Sequence, residues 1–202
     1  SDKPRTISVF SYCELTTESN YEQDLVNLQY TQFITTTTFH GDHIIEHINQ
    51  FCGVNADGEN GRERFFGLAG SPVKSYTGRR ERFLGQGRFS NPKGVVDGDL
   101  GNSLNFNGNP CGSLHTVLTL QPGETKTIAF LLAQKGENLS YRVARSADVA
   151  LSMRELIQAV NALFGGKGGG RDDSAQGSAK LNGSAKDSVE QLKAYVYRRI
   201  KG

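Results

Sequence analysis

The 202-residue chain contains no tryptophan, a single methionine and three cysteines. The missing tryptophan removes the broad indole face on which sugar rings commonly stack. Cys13, Cys52 and Cys111 form neither a CxxC pair nor an even disulfide set, which favours a reducing compartment. No apolar run approaches the length of a membrane span, and the opening SDKPRTISVF has no signal-peptide core. A cytoplasmic chain with no membrane partner is therefore expected. Charge of one sign is also scarce: the net +2 lacks the clustered excess usual in nucleic-acid binders. What is present, 36% hydrophobic and 22% charged residues, suits a folded chain of one or two domains.

From Thr6 to about Leu132 the pattern is that of strands. ISVFSYCEL alternates apolar and polar residues, and QYTQFITTTTF is dense in β-branched and aromatic types. TTTTF and HIIEHI read as two strands meeting at a His40-Gly41-Asp42 turn, and HTVLTL and TKTIAFLL as two strands about Pro122-Gly123. Gly- and Asn-rich connections, Asn55–Gly61 and Gly98–Gly112, separate the runs. Many short strands joined this way predict an antiparallel β-sandwich or barrel.

After Leu132 the pattern changes. KGENLSYRVARS adds a strand, and SMRELIQAVNALFGG is a helix with Met153, Leu156, Ile157, Val160 and Phe164 at helical spacing. Ser152 and Glu155 have the form of a capping box, and Gly165 can supply the left-handed residue that ends the helix. A second helix over roughly 187–200 places Val189, Leu192, Val196 and Ile200 on one face.

Four constellations invite chemistry. His43 and His47, with Cys52, would bind zinc if they sat on a helix. In a strand the two histidines lie roughly 13 Å apart, which favours a surface cluster and no metal. Asn102, Asn105, Asn107 and Asn109 offer amides to sugar hydroxyls, or else form a turn-rich structural loop. Arg79, Arg80, Arg82 and Arg88 surround Phe83 and Phe89. Glu81 interrupts that run, and the phenylalanines read as core-facing strand residues. FGGKGGGRDDSAQG (164–177) follows a helix and lacks the Lys-Ser/Thr of a phosphate-binding P-loop. It is a flexible spacer or a shaped loop whose backbone N–H groups face an anion.

The segments DLVNLQYTQFITTTTF (24–39), RFFGLAG (64–70) and RRERFLGQGRFSNPKGVVDGDLGNSLNFNGNPCGSLHTVLTLQPGETKTIAFLL (79–132) resemble the N-terminal β-sandwich of the glycoside hydrolase family 94 phosphorylases, which act on cellobiose and cellodextrins. The resemblance covers about residues 7–132. It implies a super-sandwich fold and places the Asn-rich loop near sugar. In that family the general acid and the phosphate site belong to a following helical barrel. No counterpart of its helical repeats stands in this sequence, so no enzymatic activity is expected.

From about Thr127, VARS, the SMRELIQ helix and GGKGGGRDDSAQG resemble the DHH-associated domain at the C-terminus of alanyl-tRNA synthetases. That resemblance implies phosphate or RNA contact through Lys167, Arg171 and Gln176, with Gly165, Gly166, Gly168, Gly169 and Gly170 contributing backbone. The zinc pair of the editing site is not reproduced.

These readings predict a mainly β protein: a sandwich over 1–132, then a small α/β module with two helices over 133–202, sharing a strand near 127–132. The two halves are joined by natural fusion or by engineered recombination. The expected role is non-catalytic binding of a β-glucoside oligosaccharide. The alternatives are RNA binding through the glycine-rich stretch and a structural chimera without ligand. No cofactor is expected, and a homodimer is compatible with the sequence.

Overall fold

In the computed structural model, residues 2–15, 35–48, 62–106, 108–135, 138–144, 152–180 and 185–201 are described. Their strands form two antiparallel sheets. The smaller sheet is built on the long strand β7 (Pro110–Leu120), which pairs with β1 (Arg5–Phe10), β2 (Cys13–Glu14) and β6 (Ser75–Arg79). The larger sheet contains β3 (Thr35–Phe39), β4 (His43–Ile48), β5 (Arg62–Ala69), β8 (Ala129–Lys135), β9 (Asn138–Ala144), β10 (Lys167–Gly170) and β11 (Ser174–Lys180). Its strand order is β10-β11-β9-β8-β5-β4-β3.

Alternation along the strands supplies two buried faces. One face of the large sheet packs Ile44, Phe66 and Leu68 against Leu114 of the small sheet, with Phe130 and Leu132 alongside. The opposite face presents Phe65, Leu131, Ala133, Leu139, Tyr141 and Val143 to two helices, α3 (Met153–Phe164) and α4 (Ala185–Lys201). The result is three layers: small sheet, large sheet, helices. Burying a Leu- or Phe-sized side chain in either interface contributes about 1.5–3 kcal/mol.

The sheet is continuous across residue 132, since β8 pairs with β5 on one side and β9 on the other. The strands of the C-terminal segment thus extend the sandwich's own sheet.

Local chemistry sets the element ends. The Ser152 hydroxyl accepts from the Glu155 backbone N–H at 3.3 Å, capping α3. Gly165 closes the helix in the left-handed region at φ 63°, where a side chain would be strained. The β3–β4 hairpin turns at Gly41, as its sequence predicts, with the His40 N–H donating to His43 O at 2.9 Å.

Three expectations change. HTVLTL and TKTIAFLL flank the Pro-Gly turn but do not pair: β7 belongs to the small sheet and β8 to the large one. The turn therefore carries the chain between layers. RRERFL is not a strand either. Arg80–Leu84 is a short helix, α1, followed by α2 (Lys93–Val96). Phe83 is buried, but Phe89 is exposed, with the Arg80 guanidinium 5.8 Å from its ring centre. Finally, the glycine run is neither spacer nor loop: Lys167–Gly170 is the edge strand β10 of a hairpin.

Candidate binding sites

The Asn-rich segment crosses over β3 and β6. Asn105 is 2% exposed. Its side-chain amide donates to Gly108 O at 3.0 Å and Thr35 O at 3.3 Å, and its backbone N–H donates to Thr37 Oγ1 at 2.6 Å. The Thr37 N–H returns a bond to Asn105 O at 3.0 Å. Asn105 is thus a buried pin, which a sugar on the surface cannot reach. Asn102 sits in the left-handed region at φ 49° and accepts from the Tyr76 N–H through Oδ1 at 3.1 Å. The Asn109 amide donates to Glu81 Oε1 at 2.7 Å on the surface. Asn107 lies outside the described residues. Between these anchors Phe106, joined to Thr36 by an isolated β-bridge, stands 75% exposed.

The histidines occupy β4, as the strand reading places them. His43 is buried, with Nδ1 2.7 Å from Asp42 Oδ1. His47 lies between Thr38 Oγ1 at 2.9 Å and Glu63 Oε1 at 3.2 Å. Cys52 lies outside the described residues. Among the described residues, no group of three His, Cys, Asp or Glu is placed to hold an ion. The arginines of α1 are held by carboxylates: Arg80 Nε donates to Glu14 Oε1 at 2.6 Å, and Arg82 lies 3.6 Å from Asp97.

In the C-terminal hairpin the glycines allow close approach. A Cβ on Gly168 would strike the backbone of Gln176 and Gly177, and one on Gly170 would strike Ser174 and Ala175. Gly169 faces open space. The Arg171 N–H donates to Ser174 O at 2.8 Å. By antiparallel alternation, Gly168 and Gly170 then turn their polar groups away from β11. Both outward carbonyls are met from α3, by Asn161 Nδ2 at 3.2 Å and Arg154 Nε at 3.2 Å. The edge strand is thereby partly covered, a common protection against unwanted strand pairing.

Register places the Lys167 end of the hairpin in line with the sandwich. Lys167 pairs with Ser178, Ser178 with Ser140, Ser140 with Gln134, Gln134 with Arg64, Arg64 with Glu46 and Glu46 with Thr37. One polar row therefore crosses the whole sheet, from exposed Lys167 through buried Glu46 to buried Thr37. At the buried end Arg64 Nη1 donates to Glu46 Oε2 at 3.4 Å. At the open end the row forms the floor of a cleft of about 700 Å³, within the range of small-molecule sites. Lys167, Gly168, Gly169 and Gln176 line it, together with Arg64, Gln134, Ser140 and Arg142. These last four escape sequence reasoning. Their only signal is polar alternation within RERFFGLA, AFLLAQK and NLSYRVA, and pairing register decides which of them meet.

No helix among the described residues is long and apolar enough to cross a membrane.

Comparison with known proteins agrees with the layered fold. The glycosyl hydrolase 94 supersandwich domain is matched over residues 1–158, past β9 and into α3. The N,N'-diacetylchitobiose phosphorylases of Vibrio proteolyticus and Vibrio furnissii are 38% and 35% identical to the chain over 134 residues. Those matches cover 65% of this chain and 16% of each relative, so the chain spans about a sixth of their length. Among solved structures, the C-Ala domain of Aquifex aeolicus alanyl-tRNA synthetase is 29% identical over 31% of this chain and 59% of that one, with a TM-score of 0.27. On the family match, this chain belongs to the glycosyl hydrolase 94 supersandwich domain family.

Proposed function

We propose that the chain is a non-catalytic sandwich that positions carbohydrate for a phosphorylase-type protein. The observation carrying this reading is Phe106. It is an exposed aromatic face in a protein without tryptophan, held out from a loop whose base is pinned by Asn105. An aromatic face beside the Asn109–Glu81 polar pair suits a sugar ring, which stacks its C–H face and hydrogen-bonds its hydroxyls. The direct contacts in this reading come from Phe106, Asn107 and Asn109, with Asn102 and Asn105 shaping the loop. Titration with cellobiose and N,N'-diacetylchitobiose should shift the amide signals of Phe106, Gly108 and Asn109, and Phe106→Ala should abolish the shifts. Unchanged spectra at millimolar sugar would refute the reading. Phosphorolysis of either sugar is expected to be undetectable in this reading, because the family resemblance assigns the acid and phosphate groups to a helical barrel and not to the sandwich.

A second reading assigns phosphate or RNA binding to the hairpin. Lys167 and Arg171 are exposed at its two ends, and Arg198 is exposed on α4. It predicts salt-dependent binding weakened by Lys167→Ala and Arg171→Ala. RNA affinity insensitive to both changes would exclude the hairpin.

A further inference from the structure

The cleft on the large sheet has a marked excess of hydrogen-bond donors. Two arginine–glutamine pairs stand in it, each joining neighbouring strands. Arg64 Nε donates to Gln134 Oε1 at 3.1 Å, and Arg142 Nε donates to Gln176 Oε1 at 3.0 Å. In both pairs the glutamine oxygen is taken by the guanidinium, so the amide NH2 is left as the group to present to a ligand. Ser140, Ser178 and Lys167 add two hydroxyls and an ammonium. The Lys167 side chain makes no hydrogen bond or ion pair among the described residues, and Arg142 has no carboxylate partner among them.

Negative charge inside the cleft is already engaged. Glu14, the sole carboxylate lining it among the described residues, receives bonds from Arg80 at 2.6 Å and from the Tyr12 hydroxyl at 3.1 Å. Arg64 is paired with Glu46 beneath the floor. Among the described residues that line the open end, Arg142 and Lys167 are therefore the cations without a carboxylate partner. Each of these side chains stands on a strand paired with its neighbour, which fixes its backbone position.

We propose that this cleft binds a small oxyanion ligand, a phosphoryl or carboxylate compound, held by Arg142 and Lys167 and oriented by the amides of Gln134 and Gln176. The oxygens of such a ligand accept what the cleft has in surplus, and a guanidinium already fixed by a neighbour loses little freedom on binding. The site joins Arg64 and Gln134 of the sandwich to the C-terminal hairpin. It is separate from Phe106, so it does not rest on the carbohydrate reading.

The test is titration of the whole chain at low ionic strength with pyrophosphate and, separately, with citrate, following the Ser140, Gln176 and Ser178 amides. Saturable shifts are expected with at least one anion. They should weaken about tenfold or more in Arg142→Ala and in Lys167→Ala, by loss of a charged hydrogen bond. Both positions are exposed, so folding should be preserved. Arg88→Ala, exposed and outside the cleft, should leave the affinity unchanged. Response to pyrophosphate alone identifies a phosphoryl ligand, and response to citrate alone a carboxylate. Silence toward both at millimolar concentration overturns the proposal. So do shifts that Arg142→Ala leaves intact, and oligonucleotide binding without a response to either small anion.

Discussion

The Tyr141 hydroxyl donates to Asn161 Oδ1 at 2.6 Å, tying the middle of the large sheet to the last turns of α3. The same asparagine donates through Nδ2 to Gly168 O, and its backbone oxygen accepts from the Gly166 N–H at 2.8 Å. Helix, sheet and edge strand thus meet at one side chain. Gly177 makes room for it: a Cβ there would lie 2.6 Å from Asn161 Oδ1 and 2.5 Å from the Tyr141 ring.

Tyr141→Phe should cost about 1 kcal/mol, the net worth of one hydrogen bond, and Asn161→Ala about 2 kcal/mol through the loss of two. Urea denaturation measures both. Equal costs would mean that the Gly168 contact contributes nothing.

The glycine strand makes a sharper prediction, because its positions differ. Gly168→Ala and Gly170→Ala should each destabilise by more than about 1 kcal/mol, since the added carbon meets backbone that cannot swing aside. Gly169→Ala faces open space and should stay within about 0.5 kcal/mol of the parent. Similar melting temperatures for all three would show that the run is there for flexibility.

Removal of the helix cap in Ser152→Ala should cost about 1 kcal/mol. Faster amide exchange should be confined to the first turn of α3, and in particular should reach the Glu155 N–H. Ser152 also donates to Asp172 Oδ1 at 2.9 Å, so Asp172→Ala separates the contribution of the cap from that of the side-chain bond.

His115 predicts acid sensitivity. It is fully buried, stacked on Phe10 at 4.0 Å, with Nδ1 3.1 Å from Ser75 Oγ and no partner for Nε2 among the described residues. Burial, and then the Lys74 charge, lower its pKa from the usual 6.5, while Asp99 opposes them. The folded state therefore binds fewer protons than the unfolded chain below pH 6.5. Stability is retained above that value and falls as pH drops from it through the folded pKa. Melting temperature from pH 7.5 to 5 should decline more steeply for the parent than for His115→Asn. Parallel curves would mean that His115 does not set the acid sensitivity.

Cys13 should be a slow thiol. Burial, followed by the Glu46 charge, pushes its pKa up to about 11, and burial raises Cys111 further. In a Cys52→Ser background, native-state labelling at pH 8 should run on the order of a hundredfold slower than for a free cysteine, because little thiolate is present. Labelling at the free-thiol rate would contradict this environment.

Local elements were legible where one short stretch contains its own instructions. Ser152, Glu155 and Gly165 mark both ends of α3, and the apolar spacing between them names its buried face. Gly41 between two β-branched runs specifies the β3–β4 hairpin in the same way. Residues 80–89 misled, because Phe83 and Phe89 look alike in sequence and differ only in what covers them.

The sequence by itself determined a β-rich sandwich, the capped helix and the second amphipathic helix, since periodicity and capping act over a few residues. Tertiary structure alone decided that β7 and β8 lie in different layers and that the glycine run is a strand. It also decided that Lys167 shares a row with Arg64. Those two residues are four strands apart, about 19 Å across the sheet, and 103 positions apart in the chain. Their alignment depends on the register of every strand between them, which packing of the faces sets and no local motif encodes.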